Sequence, residues 1–260
     1  MTATTPLLHA VAQRAQRWLQ AAPSDEAGTA ETTTAASSPV VRATVIAAMQ
    51  RNACDHYTRR PGIAPLCRAV TERLAAKDVV VDPEDGIVIT GGVAETRFVA
   101  LRTLAAQQTL YLLPESLARY QVLAEFSGAT VQVIDLAGEL PVAAGGVLLI
   151  AAAQPESVLA RLAPWAAMAN LTVIVDAIDV DLFGENSLER PFASLPGMAE
   201  RTLTLGSFAN LTGLDAWQVA WFAGAKPLVV KVRNLKQAMT ICSPAPGQYA
   251  ALAGLQGDAA

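Results

Sequence analysis

Charge is the first thing this chain is short of. Only 16% of its 260 residues are Asp, Glu, Lys or Arg, against a hydrophobic share of 52%, where ordinary soluble domains carry about 25% charged residues. The net charge of −4 comes without any Lys/Arg run or interleaved aromatic stripe, which removes the electrostatic footprint of a nucleic-acid binder. Two histidines, His9 and His56, and three widely spaced cysteines, Cys54, Cys67 and Cys242, leave almost nothing from which to build a transition-metal site. No C-x-x-C pair is present, and three unpaired thiols fit a reducing cytoplasm better than a disulfide framework. The longest nearly uncharged stretch, Leu140 to Gln154, carries Pro141, Gly145 and Gly146 and falls short of the ~18–20 apolar residues that span a bilayer. It reads as a buried strand with its approach. The apolar surplus is enough for one large core, with part left over for an interface.

What is present divides at residue 39. Leu8, Val11, Ala15, Trp18 and Leu19 recur at helical spacing and predict an amphipathic docking helix, with a targeting presequence as the competing reading. Pro23 to Pro39 is rich in Ser, Thr, Ala and Gly and reads as a linker or extended arm. From residue 40 to 260 apolar runs alternate with helical patterns. Helices are expected at 41–51, 64–77, 94–106, 120–127 and 155–169, and strands at 86–90, 109–113, 130–134, 147–151, 171–175 and 201–205. That alternation predicts an α/β domain with a mostly parallel sheet covered by helices on both faces.

Five ordered blocks then carry a resemblance. They are His56-Tyr-Thr-Arg-Arg-Pro-Gly62, Thr90-Gly-Gly-Val-Ala-Glu95, Leu113-Pro114 with Tyr120 and Gly128-Ala129, Val173-Ile-Val-Asp-Ala-Ile-Asp179, and Thr240-Ile-Cys-Ser-Pro-Ala-Pro-Gly-Gln248, with the segment Thr204-Leu-Gly-Ser-Phe-Ala-Asn210 continuing to Gly224 between the last two. Together they resemble the class I/II aminotransferases of the fold-type I pyridoxal-phosphate group. The resemblance implies the family's large domain, and the chain stops at Ala260 without the segment expected for its smaller C-terminal domain. It also implies a symmetric dimer or a subunit of a larger complex.

Against that family the chemistry is altered. Asn210 stands where the resemblance places the lysine that forms the Schiff base, and an amide forms no imine. Gln218 stands in place of a phosphate-binding arginine, Asp179 in place of a tyrosine that bonds the cofactor's phenolic oxygen, and Leu117 and Gln154 in place of an aromatic and an asparagine. Val93 and Ala94 retain the helix-start amides that favour a phosphate. Asp176 matches the carboxylate facing the pyridinium nitrogen, Ser207 a phosphate contact, and Tyr57 the residue that reaches the neighbouring subunit's phosphate. Each also has a plain structural reading, as a loop cap, a turn and an interface residue. Lys226, Lys231 and Lys236 follow the motif and read as solvated.

The expectation is a non-catalytic aminotransferase-like scaffold, a pseudoenzyme of the cytoplasm, with no cofactor and no metal. A cofactor-independent ligand or catalytic pocket is the second reading, and an active pyridoxal-phosphate aminotransferase the third. In the second, Asp176, Asp179 and Asp181 could hold a cation or act as a carboxylate pair.

Overall fold

The computed structural model describes residues 13, 14, 17, 37–142, 144–182, 190–211 and 213–257. The chain divides into two units, Met1–Thr34 and Ala35–Ala260. Most of the expected docking helix and most of the arm fall outside the described residues. In the larger unit Ser38 caps α1 (Pro39–Gln50), its hydroxyl accepting from Val41 N at 3.2 Å, and Pro39 supplies the first helical position, where a missing N–H costs nothing.

Seven strands form one sheet in the order β1-β7-β6-β5-β4-β2-β3. They are β1 (Ile87–Thr90), β2 (Thr109–Leu112), β3 (Thr130–Val133), β4 (Val147–Ala151), β5 (Thr172–Asp176), β6 (Thr202–Ser207) and β7 (Ala220–Gly224). All pairings are parallel except the two made by β7, which runs antiparallel to both β6 and β1. The sequence reading of a mostly parallel sheet covered on both faces therefore holds.

The strands read as continuous apolar runs because both of their faces are covered. Alternate residues feed two separate cores. Ile87, Ile89, Leu148, Ile150, Val173, Val175 and Trp221 face one core, built with α1, α2 (Ala64–Ala75), α5 (Glu156–Met168) and α7 (Ala245–Gly257). Val88, Leu149, Ile174, Leu203, Leu205 and Phe222 face the other, built with α3 (Val93–Leu104), α4 (Leu117–Ser127) and α6 (Lys226–Thr240). Only β3, at the edge, is largely exposed.

Two details explain motif residues. A Cβ on Gly206 would lie 2.1 Å from the buried Trp221 ring, so the Leu-Gly-Ser end of β6 tolerates no side chain there. Trp221 is thereby fixed as core, whereas the half-buried Trp217 donates from Nε1 to the Ser37 hydroxyl at 2.7 Å. Gln248, fully buried, accepts from Ile63 N at 2.7 Å and donates to Ser243 O at 2.8 Å and Thr58 Oγ1 at 3.2 Å. It stitches the Tyr57–Gly62 block to the start of α7.

Several ends shift. The helix expected at 120–127 begins at Leu117, straight after a short turn at Pro114–Ser116, and stops at Gly128 in the left-handed conformation, φ 71°. β6 runs on to Ser207 rather than ending at Leu205, because Ser207 still pairs with Ala220 of β7.

Candidate functional site

In a sheet of this kind ligands sit outside the carboxyl ends of the parallel strands. Here β1 ends at Thr90, β5 at Asp176 and β6 at Ser207. Thr90 and Ser207 both pair with Ala220, one from each side, so they stand roughly 10 Å apart across β7.

The turn after β1 supplies a helix start. Gly92 takes φ 107°, a conformation that Gly accommodates, and α3 begins at Val93. The first-turn amides of Val93 and Ala94 have no carbonyl within the helix to bond, and the helix dipole favours an anion there. Gln218 is close to this turn: a Cβ on Gly92 would meet its Oε1 at 2.8 Å. Gln218 itself has φ 51° and its amide nitrogen donates to Asp215 O at 3.4 Å. Behind the turn, the Glu95 carboxylate accepts from Gly91 N and from the Thr240 hydroxyl, tying the start of α3 to the end of α6.

Asp176 is buried at the end of β5. Its Oδ1 accepts from Ile178 N at 3.0 Å, the loop-capping role read from the sequence. Its Oδ2 accepts from Arg97 Nε at 2.8 Å and from the Tyr120 hydroxyl. Arg97 Nη2 also lies 2.8 Å from Oδ2, and the guanidinium carbon stands 5.9 Å from the centre of the Tyr120 ring. Arg97 and Tyr120 are the functional residues that sequence reasoning missed. The available signal was the position of Arg97 one turn into α3, on the sheet-facing side.

The remaining assigned residues separate. Asn210, exposed beyond β6, donates from Nδ2 to Ile178 O at 3.1 Å, which joins it to the Asp176 loop. Ser207 Oγ accepts from Ala209 N at 2.9 Å, a turn contact. Asp179 is exposed and pairs with Arg119, while Arg97 Nη2 lies 3.6 Å away. Its charge is therefore matched by two guanidinium groups. Gln154, at the end of β4, donates to Glu115 at 3.2 Å, and Leu117 packs against the second core. Tyr57 is 80% exposed and lines a different cavity, with Cys54 and Cys242. The structure thus brings Val93, Ala94, Asp176, Ser207, Asn210 and Gln218 to one edge of the sheet and leaves Tyr57 outside it. Among the described residues no cluster of three or more His, Cys, Asp or Glu is arranged to hold a metal, the Asp176, Asp179 and Asp181 set included.

One lysine is not where the sequence put it. Lys226 is exposed and bonded to Asp85 at 2.7 Å, and Lys231 is exposed, but Lys236 is fully buried. It follows Val229 and Val232 along the inward face of α6, so helical periodicity carries it into the protein. Its Nζ has no hydrogen-bond partner among the described residues. Burial pushes its pKa down, with the nearby Glu95 and Cys242 opposing that shift.

Comparisons with known proteins agree with this geometry. Residues 145–260 match the family described as aminotransferase class I and II. Over 222 residues the chain is 29% identical to a probable N-succinyldiaminopimelate aminotransferase, DapC, of Mycobacterium tuberculosis, covering 75% of this chain and 55% of that protein. A putative aminotransferase of Bacillus subtilis, YugH, is 22% identical over 221 residues, covering 77% and 57%. The chain thus spans little more than half the length of these relatives. The solved N-succinyldiaminopimelate aminotransferase from Mycobacterium tuberculosis superposes with a TM-score of 0.72 at 24% identity, covering 86% of this chain and 65% of that one. The aromatic aminotransferase from Pyrococcus horikoshii gives 0.74 at 18%, covering 86% and 66%. Among the described residues no helix is long and apolar enough to cross a membrane.

These relationships overturn the expectation that no cofactor is involved, because the proteins to which the chain is related are pyridoxal-phosphate enzymes. That expectation took an amide at residue 210 for the loss of a whole site. The edge of the sheet fits such a group in part: first-turn amides and the Ser207 hydroxyl suit a phosphate. A carboxylate accepts about four hydrogen bonds, and Asp176 Oδ1 carries only one. Fold, site geometry and sequence comparison converge: the chain has the large-domain fold of the fold-type I aminotransferases and is related to the class I and II aminotransferase family.

Proposed function

We propose that this edge of the sheet is a ligand pocket for a phosphorylated pyridine of the pyridoxal-phosphate class, held by contacts and not by a covalent bond to residue 210. The observation that supports it is the pairing of a retained acceptor, Asp176, with an amide, Asn210, whose Nδ2 is already engaged by Ile178 O. Val93 and Ala94 would hold the phosphate through backbone N–H groups, with Ser207 and Gln218 beside them. Gln218 brings no charge, so the phosphate lacks a charge-assisted contact of roughly 1.5–3 kcal/mol. Asp176 would accept from the ring nitrogen, and Arg97 holds that carboxylate in place. A bound group of this class supplies an electron sink for charge developing on a substrate carbon. Asn210 neither condenses with an aldehyde nor acts as an acid or base at neutral pH.

The test is a titration of the full chain with pyridoxal phosphate, read by absorbance and by thermal unfolding, before and after borohydride treatment. The expected result is a saturable rise in unfolding temperature with the ligand released on denaturation. Asn210→Lys is expected to retain ligand at residue 210 after reduction. The absence of any saturable stabilisation in the wild type would sink the reading.

A second reading, an assembly subunit, is favoured by exposed apolar residues on and near α1: Val40, Ile46, Met49 and Tyr57 are 60%, 54%, 55% and 80% exposed. Sizing of the same sample tests it, since a monomer at all concentrations would exclude self-assembly.

A further inference from the structure

The cavity that takes in Tyr57 holds two thiols. Cys54, on the turn segment that leaves α1, and Cys242, on the connection between α6 and α7, both line one open cavity of about 830 Å³, together with Asp55, His56 and Ser243. Both cysteines are half-buried and free, while Cys67 is fully buried against Pro61 O, with Sγ 3.6 Å away. The elements that deliver the two thiols are clamped together, because α1 packs along α7 more extensively than any other two elements meet. Cys54 itself lies on turn and bend residues outside helix and strand, so bringing it to Cys242 disturbs no ladder.

We propose that Cys54 and Cys242 form a paired-thiol site that reacts with low-molecular-weight disulfides of the glutathione type and closes to an intramolecular disulfide. Cys242 reacts first, because the other member of the pair is held back by its surroundings. Cys54 is the resolving thiol, since burial and the neighbouring Asp55 both raise its pKa. In the first step the Cys242 thiolate attacks one sulfur of the small disulfide; a Cys242–glutathione S–S bond forms and one glutathione leaves as thiolate. In the second, the Cys54 thiolate attacks the Cys242 sulfur and the second glutathione leaves. Two protein thiols are oxidised by two electrons, one small disulfide is reduced to two thiols, and the two cysteine protons end on the released thiols. The product tethers the turn that carries His56 and Tyr57 to the α6–α7 connection. Cys67, its thiol pushed up to about 12 by burial, stays out of the exchange.

The test treats the reduced full chain with glutathione disulfide, followed by intact mass, a thiol count after denaturation and a non-reducing peptide map. The expected result is loss of two of the three thiols, no retained glutathione, and one linked peptide pair joining Cys54 to Cys242. Cys54→Ser and Cys242→Ser are each expected to retain glutathione on the remaining member of the pair. The oxidised wild type alone is expected to unfold at a higher temperature than its reduced form. Glutathione retained on the wild type, a link that includes Cys67, or three thiols left unreacted would each overturn the proposal.

Discussion

Asp176 and Lys236 are both buried charges close to the same helix, α3, and the protein treats them in opposite ways. Asp176 is met by Arg97, the Tyr120 hydroxyl and Ile178 N. Lys236 has no hydrogen-bond partner among the described residues, and burial pushes its pKa down. A buried ion is tolerable when paired and costly when it is not. Asp176 therefore remains a fixed acceptor at the carboxyl end of β5, while Lys236 is a standing cost inside the α3–α6 contact.

The largest break in that contrast comes from Arg97→Leu, which strands the Asp176 carboxylate without its cation. We expect a loss of about 3–5 kcal/mol in stability, measured by urea unfolding. Tyr120→Phe removes one donor and leaves the pair, so the expected loss is smaller, about 1.5–3 kcal/mol. A Tyr120→Phe effect as large as that of Arg97→Leu would show that the hydroxyl and not the guanidinium carries the carboxylate. Lys236→Met has the opposite sign and the smallest size, a gain of about 1–3 kcal/mol from removing an uncompensated polar group.

The pH dependence sharpens the Lys236 prediction. The folded-state pKa lies below the ordinary lysine value of 10.5, so between the two the unfolded chain binds a proton that the folded chain does not. Stability contributed at this position therefore rises with pH across that window, and the penalty is fully present below the lowered pKa. The gap between Lys236→Met and the wild type is expected to be widest near neutral pH and to narrow as pH climbs towards 10.5. A gap independent of pH would mean that packing and not charge sets it.

Much of the architecture was legible in the sequence. Two-faced apolar runs separated by helical patterns give a parallel sheet wherever the chain has to return by a helix. Three of the motif segments, Thr90–Glu95, Val173–Asp179 and Thr204–Gly224, located the edge at which Val93, Asp176, Ser207, Asn210 and Gln218 gather. The antiparallel run of β7 could not be read from Ala-Trp-Phe-Ala-Gly, since strand direction is set by the path between strands and not by residue type. Arg97 and Tyr120 were missed because their roles exist only when α3, α4 and the end of β5 converge. The solvated reading of Lys236 failed because charge was weighed ahead of helical position.

The chemistry open to residue 210 was decided by sequence alone: whatever surrounds it, the Asn210 amide forms no imine. Local pattern likewise fixed where helices and strands occur, because backbone geometry sets their periods of 3.6 and 2. Tertiary structure decided what the charges do. The Coulomb and desolvation energies of a carboxylate or an ammonium depend on what stands within a few ångströms, and those neighbours come from segments as distant along the chain as Arg97 is from Asp176 and Glu95 from Lys236.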